Sequence, residues 1–500
     1  MKLRPLALAA AAAFAGCAQY VEKVPSVGPD YSRPVYENPA YVLPDAGSPT
    51  TNLTAAGEYV PASEEADPRL AVSTNELARW WTLFNDDVLE GLVRDSVSNN
   101  VTFRMAVARL DRANWELLGS YAAFLPKFAG AADWHRYWLS PGNTTYGDNG
   151  AYADYNAAQI GLEGRWEIDL FGGNRRATEA ALAAAEAAGW SVADAWVQLT
   201  TEIGLRYIQL RTCQERIAVA RTNLALQSET YQILKSRLDS GIGDELAVNQ
   251  CAYIVERTRA QIPTLLSGEE SLKNALAILA GAKPGALHGK LAAVTDGRDW
   301  LLAPQRIADL PLDLMRSRPD VMQAERELAA QCARIGMAKA QWFPKLYVTG
   351  TVGWETKNGA RLFSRESFFA SIGPAISWPI FQGGAIYANV KAQEARTEDL
   401  ALAYSLAIDK AYSEVRDEYA AYTQEYHRYQ SLRAAVKAAT DAVAISQDLY
   451  KNGLKDFNNV LDAQRSRLEL EEQLTISRGQ ITQNLIRLYK ALGGGLAQTR

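Results

Sequence analysis

Two hydrophobic periods alternate along this chain, one of seven residues and one of two. Every seventh residue from Trp196 to Leu238 is apolar or aromatic. The same is true of every seventh residue from Ile408 to Tyr450. The second line lies 212 residues after the first. A straight helix drifts away from a strict seven-residue period, so these lines predict long helices that supercoil in a left-handed sense around neighbours.

The two-residue period occurs between Lys127 and Gly172 and again in the second half of the chain. There apolar residues alternate with polar and charged ones, which is typical of strands that have one apolar and one wet face. The predicted strands cover about 128–140, 155–171, 346–356 and 368–381. Their length and the aromatic residues near their ends favour a transmembrane barrel with lipid outside and water inside. The alternative is an ordinary antiparallel sheet with one wet face.

Short breaks containing glycine interrupt the helical sequence at Gly241 and Gly453, again 212 residues apart. Each glycine is followed at the same distance by an aspartate, Asp244 or Asp456. Glycine can close a helix in the left-handed conformation, and a carboxylate is favoured near the positive end of the next helix. We therefore predict the tips of two helical hairpins at these positions.

The matched breaks, lines and strands predict a tandem duplication. The first repeat covers residues 79–290 and the second covers 291–495, followed by a short tail at 496–500. Each repeat contains a helix, two strands and a long helical hairpin. Four strands cannot close a barrel, and an open sheet edge cannot face hydrocarbon, so we expect other copies to complete it. Three copies would supply twelve strands and a twelve-helix tube.

The N-terminus has the form of a secretory signal peptide over residues 1–16, with Lys2 and Arg4 before a short apolar run. The stretch FAGC that ends at Cys17 resembles a bacterial lipobox, which implies that Cys17 is lipidated and begins the mature chain. The alternative is a chance cysteine near an ordinary cleavage site. Ala18, rather than an aspartate, resembles lipoproteins sorted to the outer membrane. Residues 17–78 are predicted to form an extended segment.

Composition and motifs exclude several classes of function. The net charge is −5 and no basic run occurs, so nucleic acid is not an expected partner. The three histidines lie far apart, and no phosphate-binding loop, metal motif or nucleophile motif is present. We therefore expect no enzymatic activity, no cofactor and no metal. The other cysteines are odd in number and lie on helical sequence, which favours packed thiols over disulfides: Cys213, Cys251 and Cys332.

Four motifs in order along the chain resemble TolC-type outer-membrane efflux channels, in particular the lipoprotein branch that partners resistance-nodulation-division pumps. They are VGPDYSRP at 27–34, RSRPDV at 316–321, VLDAQ at 460–464 and LYKALGGG at 488–495. The resemblance covers nearly the whole mature chain. It implies an α+β membrane protein whose homotrimer forms a twelve-stranded transmembrane β-barrel, continued by a long α-helical coiled-coil barrel with a mixed equatorial belt.

The resemblance also implies a function and its partners. The protein would be the outer-membrane exit duct of a tripartite efflux system, lipid-anchored and extending into the periplasm. Small toxic compounds or drugs would reach it from an inner-membrane resistance-nodulation-division pump through a periplasmic adaptor (membrane fusion) protein.

A periplasmic gate at the second tip follows from the same resemblance. In the family, two acidic positions on the returning helix form constricting rings, and these positions fall on Asn459 and Asp462. Only Asp462 keeps the carboxylate, so three copies would place three carboxylates near the axis, where they select for cations. Asn459 departs from the pattern.

Family members also hold the mouth shut with a tyrosine before the tip glycine and a basic residue after it, here Tyr450 and Lys455. The usual polar partners of this latch fall on Leu246 and Ala247, which cannot serve, and this leaves Asp244 or Glu245 as substitutes. The alternative is that all these residues are solvated and only set helix caps.

Two other functions stay open at this point. An outer-membrane duct for protein secretion would have the same fold, and a lipid-anchored periplasmic coiled-coil scaffold would share the hairpins and the anchor. The duplicated strands disfavour the scaffold, whereas the lipobox and the VGPDY stretch favour efflux of small compounds over protein secretion.

Overall fold

The computed structural model describes residues 26–34, 51–53, 59–61, 79–138, 155–292, 318–357, 361–452 and 454–494. The helices are α1 Asp87–Asn99, α2 Val101–Tyr121, α3 Gly173–Asp239, α4 Glu245–Leu279, α5 Pro319–Ala340, α6 Ala385–Lys451 and α7 Phe457–Ala491. The strands are β1 Thr51–Leu53, β2 Tyr59–Pro61, β3 Lys127–Tyr137, β4 Tyr155–Ile168, β5 Lys345–Thr356 and β6 Phe368–Ser377. Within the described ranges, no helix combines the length and apolar character that a membrane crossing requires.

The tandem repeat is visible in the lengths of the long helices. Helices α3 and α6 have 67 residues each, and α4 and α7 have 35 residues each. Each pair begins 212 residues apart. Glycines with positive φ occur at the same spacing, before the long helices at Gly172 and Gly384 and after the return helices at Gly281 and Gly493. The sequence duplication is therefore a duplication of backbone structure as well.

Strands β3 to β6 form one antiparallel sheet in the order β3-β4-β5-β6, and β1 pairs with β2 as a separate ribbon. The pairing of β4 with β5 joins the first repeat to the second, with Ile168 opposite Leu346 at one end. Side chains alternate between an apolar and a charged face, as the sequence predicts. The apolar face carries Phe128, Leu162, Trp166, Val348, Val352 and Ile372, and the charged face carries Asp133, Glu163, Arg165, Glu167 and Glu355.

Two strands end earlier than the sequence predicts. Strand β4 stops at Ile168 rather than 171, because the Leu170 amide turns back to donate to the Ile168 carbonyl at 2.9 Å. Strand β6 stops at Ser377 rather than 381, shortly before Pro379, which has no N–H to offer a neighbouring strand. At β3 the observed end is Tyr137, and the predicted last residues, 139 and 140, lie outside the described ranges.

The described residues separate into two compact units. The sheet unit draws on those within 1–35, 109–189 and 323–404, and the helical unit on those within 36–108, 190–322 and 405–500. A small core in the sheet unit is made of Ala183, Ala329 and Ala330, with Tyr31 packed against it. Small side chains let helices α3 and α5 approach closely there.

The helical unit has a larger, aromatic core. Trp80 is fully buried and stacks on Tyr489 with ring centroids 6.4 Å apart. Helix α3 passes the Trp80 ring at Gly204, where an added Cβ would lie 2.3 Å from Trp80 Cη2. Close by, the Tyr207 hydroxyl donates to Asp86 at 2.6 Å, and Asp86 caps α1. The segment before α1 is thus fixed against the long helix.

We expect Gly204→Ala to lower the free energy of unfolding by about 1–3 kcal/mol, because the new methyl overlaps the buried Trp80 ring. The matched control is Gly189→Ala in the same helix, where an added Cβ meets no atom. That variant should raise stability by about 0.5–1 kcal/mol. Denaturant unfolding followed by helical circular dichroism measures both changes. Equal stability of the two variants would contradict the close packing at Gly204.

Candidate functional site

The first hairpin tip is closed by backbone hydrogen bonds and a carboxylate cap. The Ile242 amide donates to the Arg237 carbonyl at 3.0 Å, and the Gly241 amide donates to the Leu238 carbonyl at 2.8 Å. With Gly241 at φ 76°, this is the Schellman arrangement that ends many helices. Asp244 Oδ1 then accepts from the Leu246 amide at 2.9 Å and caps α4.

The second tip repeats the backbone pattern but not the cap. The Leu454 amide donates to the Leu449 carbonyl at 2.9 Å, in the position that Ile242 and Arg237 occupy at the first tip. Gly453 itself lies outside the described residues. Asp456 precedes α7, but its carboxylate makes no capping hydrogen bond. The two tips therefore have the same backbone hydrogen bond, but only the first has an aspartate that caps the next helix.

The two positions assigned to the constricting rings lie on the first turns of α7. Asn459 and Asp462 are both exposed and three residues apart, so they lie on neighbouring positions of one helix face. The Asn459 amide Nδ2 donates to the Asp456 carbonyl at 3.2 Å. The Asn459 side-chain amide is therefore hydrogen-bonded to the residue that precedes the helix, whereas the Asp462 carboxylate is exposed to solvent.

Tyr450 contacts a residue that sequence reasoning did not assign to the latch. Arg237 Nη1, near the end of α3, donates to the Tyr450 hydroxyl at 3.1 Å, and its guanidinium carbon lies 5.4 Å from the ring centroid. The Tyr450 ring also meets Phe457 edge to face, with centroids 5.1 Å apart. The contact links the first hairpin to the second through a hydrogen bond and a cation–π interaction.

The remaining latch positions are not brought together in the same way. Lys455 is exposed, and Leu246 is exposed over 57% of its surface. Ala247 is buried in an apolar cluster that joins α3, α4 and α7 above the tips: Leu234, Ala247, Val248, Cys251, Phe457, Val460 and Leu461. Two alternatives named from the sequence, Asp244 and Glu245, are the cap and the first residue of α4.

The cysteines in the described ranges are free thiols, as the sequence suggests. Burial raises the pKa of Cys251 to about 11, and burial also raises the pKa of Cys213 and Cys332. A thiol with a raised pKa stays protonated at neutral pH and is a poor nucleophile. Cys17 lies outside the described residues.

The VGPDYSRP motif docks on the sheet unit. Asp30 Oδ1 accepts from Arg176 Nη2 at 2.6 Å, and Arg176, on the first turn of α3, is only 2% exposed. The Tyr31 hydroxyl donates to the buried Glu325 of α5 at 2.5 Å. The segment 26–34, hereafter the N-terminal segment, therefore joins a helix of the first repeat to a helix of the second.

The RSRPDV motif forms a comparable junction in the helical unit. Arg318 is buried, and its guanidinium donates to Asp320, Glu414 and the Ala491 carbonyl at 2.8 to 3.0 Å. The first residue of α5 follows directly, so this arginine fixes the start of that helix against α6 and the end of α7. The motif is explained by packing.

A family model described as "Outer membrane efflux protein" matches residues 92–282 and 310–494. The chain belongs to this family. The match takes in all four long helices and all four strands of the sheet, so the resemblance to TolC-type channels is confirmed.

Individual relatives cover almost the whole chain. Nodulation protein T of Rhizobium leguminosarum bv. viciae is 29% identical over 461 residues, covering 91% of this chain and 90% of its own. Outer membrane protein OprJ of Pseudomonas aeruginosa is 28% identical over 468 residues, covering 93% of each. Among solved structures, the outer-membrane channel OprN has a TM-score of 0.80 at 29% identity, covering 94% of this chain and 99% of its own. The open state of the Neisseria gonorrhoeae MtrE channel has a TM-score of 0.69 at 26% identity, covering 81% and 89%.

Membership of the outer membrane efflux family decides between the functions left open by the sequence. The protein is an efflux channel of the outer membrane, and a scaffold of coiled coils alone is disfavoured.

The two tips should respond differently to loss of their aspartates. Asp244→Ala should destabilise the first turn of α4 by about 0.5–2 kcal/mol, because it removes a capping acceptor. Asp456→Ala should change α7 less, since its carboxylate caps nothing. Hydrogen exchange at residues 245–248 and 457–460 measures both effects, with Asp244→Asn, which keeps an acceptor oxygen, as the control. Equal acceleration at the two tips would show that the caps do not differ.

Proposed function

We propose that three copies of this outer membrane efflux protein form a passive exit duct. Small toxic compounds would enter it from a periplasmic adaptor and an inner-membrane pump and leave outside the cell. The observation that carries the proposal is the four-stranded sheet with one apolar face, one charged face and two edge strands.

The edges of the sheet argue for the trimer. Within the described residues, β3 and β6 each pair on one side only. Backbone groups facing hydrocarbon must be hydrogen-bonded, so the free side of β6 needs a β3 from another copy. Three copies close a twelve-stranded barrel, which is wide enough for an aqueous lumen when the charged faces point inward.

Exposed apolar residues on the long helices argue for a barrel built from these helices. On α3, Leu226 and Ile233 are 46% and 55% exposed, and on α6, Ile445 is 61% exposed. Apolar side chains at seven-residue spacing are suited to a coiled-coil seam with a neighbouring helix. A neighbouring copy would cover them.

The membrane anchor and the substrate class follow from sequence and from relatives. Lipidation of Cys17 would hold the N-terminus at the periplasmic side of the outer membrane. Relatives are named for toluene, cation and antibiotic efflux, which supports small toxic compounds as a class and selects no single one.

The gate is proposed at the second tip, around Gly453 and Asp456. Three Asp462 carboxylates would meet near the axis and form the narrowest, cation-selective ring. Asn459 would line the next level without charge. Tyr450 and Arg237 would hold the two hairpins together when the mouth is closed, with Lys455 beside them as a further cation.

Planar-bilayer recording tests the duct and the ring together. The unmodified trimer should show a small conductance that prefers cations. Asp462→Asn should reduce the preference for cations, because it removes three axial charges while keeping the side-chain size. Asn459→Asp should do the opposite for selectivity, since it adds a second ring.

Asp441→Asn, an equal charge change at an exposed position on α6, is the control and should leave both quantities unchanged. No conductance from folded, trimeric protein would refute the duct. Unchanged selectivity in both tip variants would refute the ring and leave the duct.

Removing the Arg237 side chain should loosen the mouth. Arg237→Gln removes an exposed cation–π contact and a charged hydrogen bond, together worth about 1 kcal/mol, so open probability should rise by about fivefold. Tyr450→Phe, which keeps the ring and loses the hydroxyl, should give a smaller rise. Arg433→Gln on the exposed surface of α6 is the control. Single-channel open times that do not change in Arg237→Gln would show that this contact is not a latch.

A further inference from the structure

The apolar face of the sheet contains a groove where two glycines meet. Gly164 of β4 and Gly350 of β5 are directly opposite, and the same row ends at Phe128 on β3 and Ile372 on β6. Two neighbouring positions without side chains leave a slot of about 400 Å³. Its remaining walls include Leu162, Trp166, Val348 and Val352.

Contacts within the sheet hold the walls of this groove in place. Phe128 leans over Gly164, so that an added Cβ there would lie 3.0 Å from the ring. Trp166 Nε1 donates to the Phe124 carbonyl at 2.9 Å, which fixes the indole near the helix end of β4. The rims stand free, since Phe128 and Ile372 are 66% and 84% exposed. A preformed apolar slot binds an apolar chain with little reorganisation.

The N-terminal segment begins close to this part of the sheet. The Val27 amide donates to the Phe171 carbonyl at 3.2 Å, three residues beyond the end of β4. Gly28 lies against Gly336, where an added Cβ at Gly28 would be 2.7 Å from the Gly336 Cα. Together with the Asp30–Arg176 ion pair, these contacts hold the chain beside the foot of β4.

The remaining length of chain is sufficient to reach the groove. Cys17 precedes Val27 by ten residues, which can span at most about 35 Å. Gly164 precedes Phe171 by seven residues, which is at most about 23 Å along the strand direction. A group attached to Cys17 can therefore lie on the groove without any change in the docked segment.

We propose that this groove is the binding site for an acyl chain carried by Cys17. A saturated acyl chain is unbranched and offers no hydrogen bond, and it fits a slot walled by apolar side chains on a face that meets lipid. Attachment to the docked segment keeps this chain within reach of the groove. The proposal rests on the lipidation of Cys17 put forward above. Its consequence is that the anchor lies along the barrel wall rather than apart from it.

Photocrosslinking in cells tests the proposal. Cells are fed a palmitic acid with a diazirine group and irradiated, and the purified trimer is digested for mass spectrometry. The N-terminal peptide should be linked through its acyl chain to peptides of β4 and β5. In Gly350→Val, which fills the slot, these links should fall by about tenfold. Gly130→Val is the control, because Gly130 lies on the same face with open space around it.

Each outcome bears on one claim. Acyl crosslinks that do not decrease in Gly350→Val, or that form elsewhere on the barrel, would refute the groove as the binding site. Gly164→Ala is a second variant that tests the same site with a smaller added side chain. If the groove were labelled as strongly in Cys17→Ser as in the unmodified protein, membrane phospholipid would be the occupant. That result would also refute the proposal. The mass of the N-terminal peptide reports lipidation separately: an unmodified Cys17 refutes the anchor itself, whereas a lipidated peptide without groove links refutes only the site.

Discussion

The hydrogen bonding of the two edge strands is the constraint on which the rest of this protein depends. Among the described strands, β3 and β6 each leave one row of backbone groups unpaired. Water can satisfy such groups, and hydrocarbon cannot. A single copy therefore has a sheet suited to a membrane on one face and unsuited at both edges. In the proposed trimer, closure by further copies would remove the conflict, and the charged face would then enclose the lumen that an efflux channel needs.

The duplication makes that closure geometrically simple. Each copy supplies two strand hairpins and two helical hairpins, and the long helices have equal lengths of 67 and 35 residues in both repeats. In the proposed trimer, three copies would place six near-equivalent helical hairpins around one axis. Helices of equal length would let every tip reach the same level, so that a small number of tip residues could close the proposed mouth.

The sequence predicts the repeating parts of this structure well, because they are periodic. The hairpin breaks, the strand alternation and the 212-residue spacing are all local patterns or copies of them. Contacts between distant positions are different: Arg237 meets Tyr450 across 213 residues, and Arg176 meets Asp30 across 146. No periodic pattern in the sequence connects the two residues of such a pair, so the sequence does not predict these contacts. Local details are missed as well, since Asp456 has the spacing of a cap and makes no capping bond, and a turn at Leu170 shortens β4.

The two repeats differ at the positions assigned to the proposed gate. The counterparts of Asp462, Asn459 and Tyr450 in the first repeat are Gln250, Ala247 and Leu238. Ala247 is 6% exposed and packs with Val248 and Cys251, so the start of the first return helix is held by apolar contacts. The second return helix also buries Phe457, Val460 and Leu461 in this cluster, but it has an exposed amide and an exposed carboxylate at positions 459 and 462. Because both return helices are packed into one apolar cluster, moving either hairpin would expose apolar surface to water. The two tips therefore differ in polarity rather than in packing, and the movement proposed for the second tip would have to break the shared apolar cluster as well as the contact between Arg237 and Tyr450.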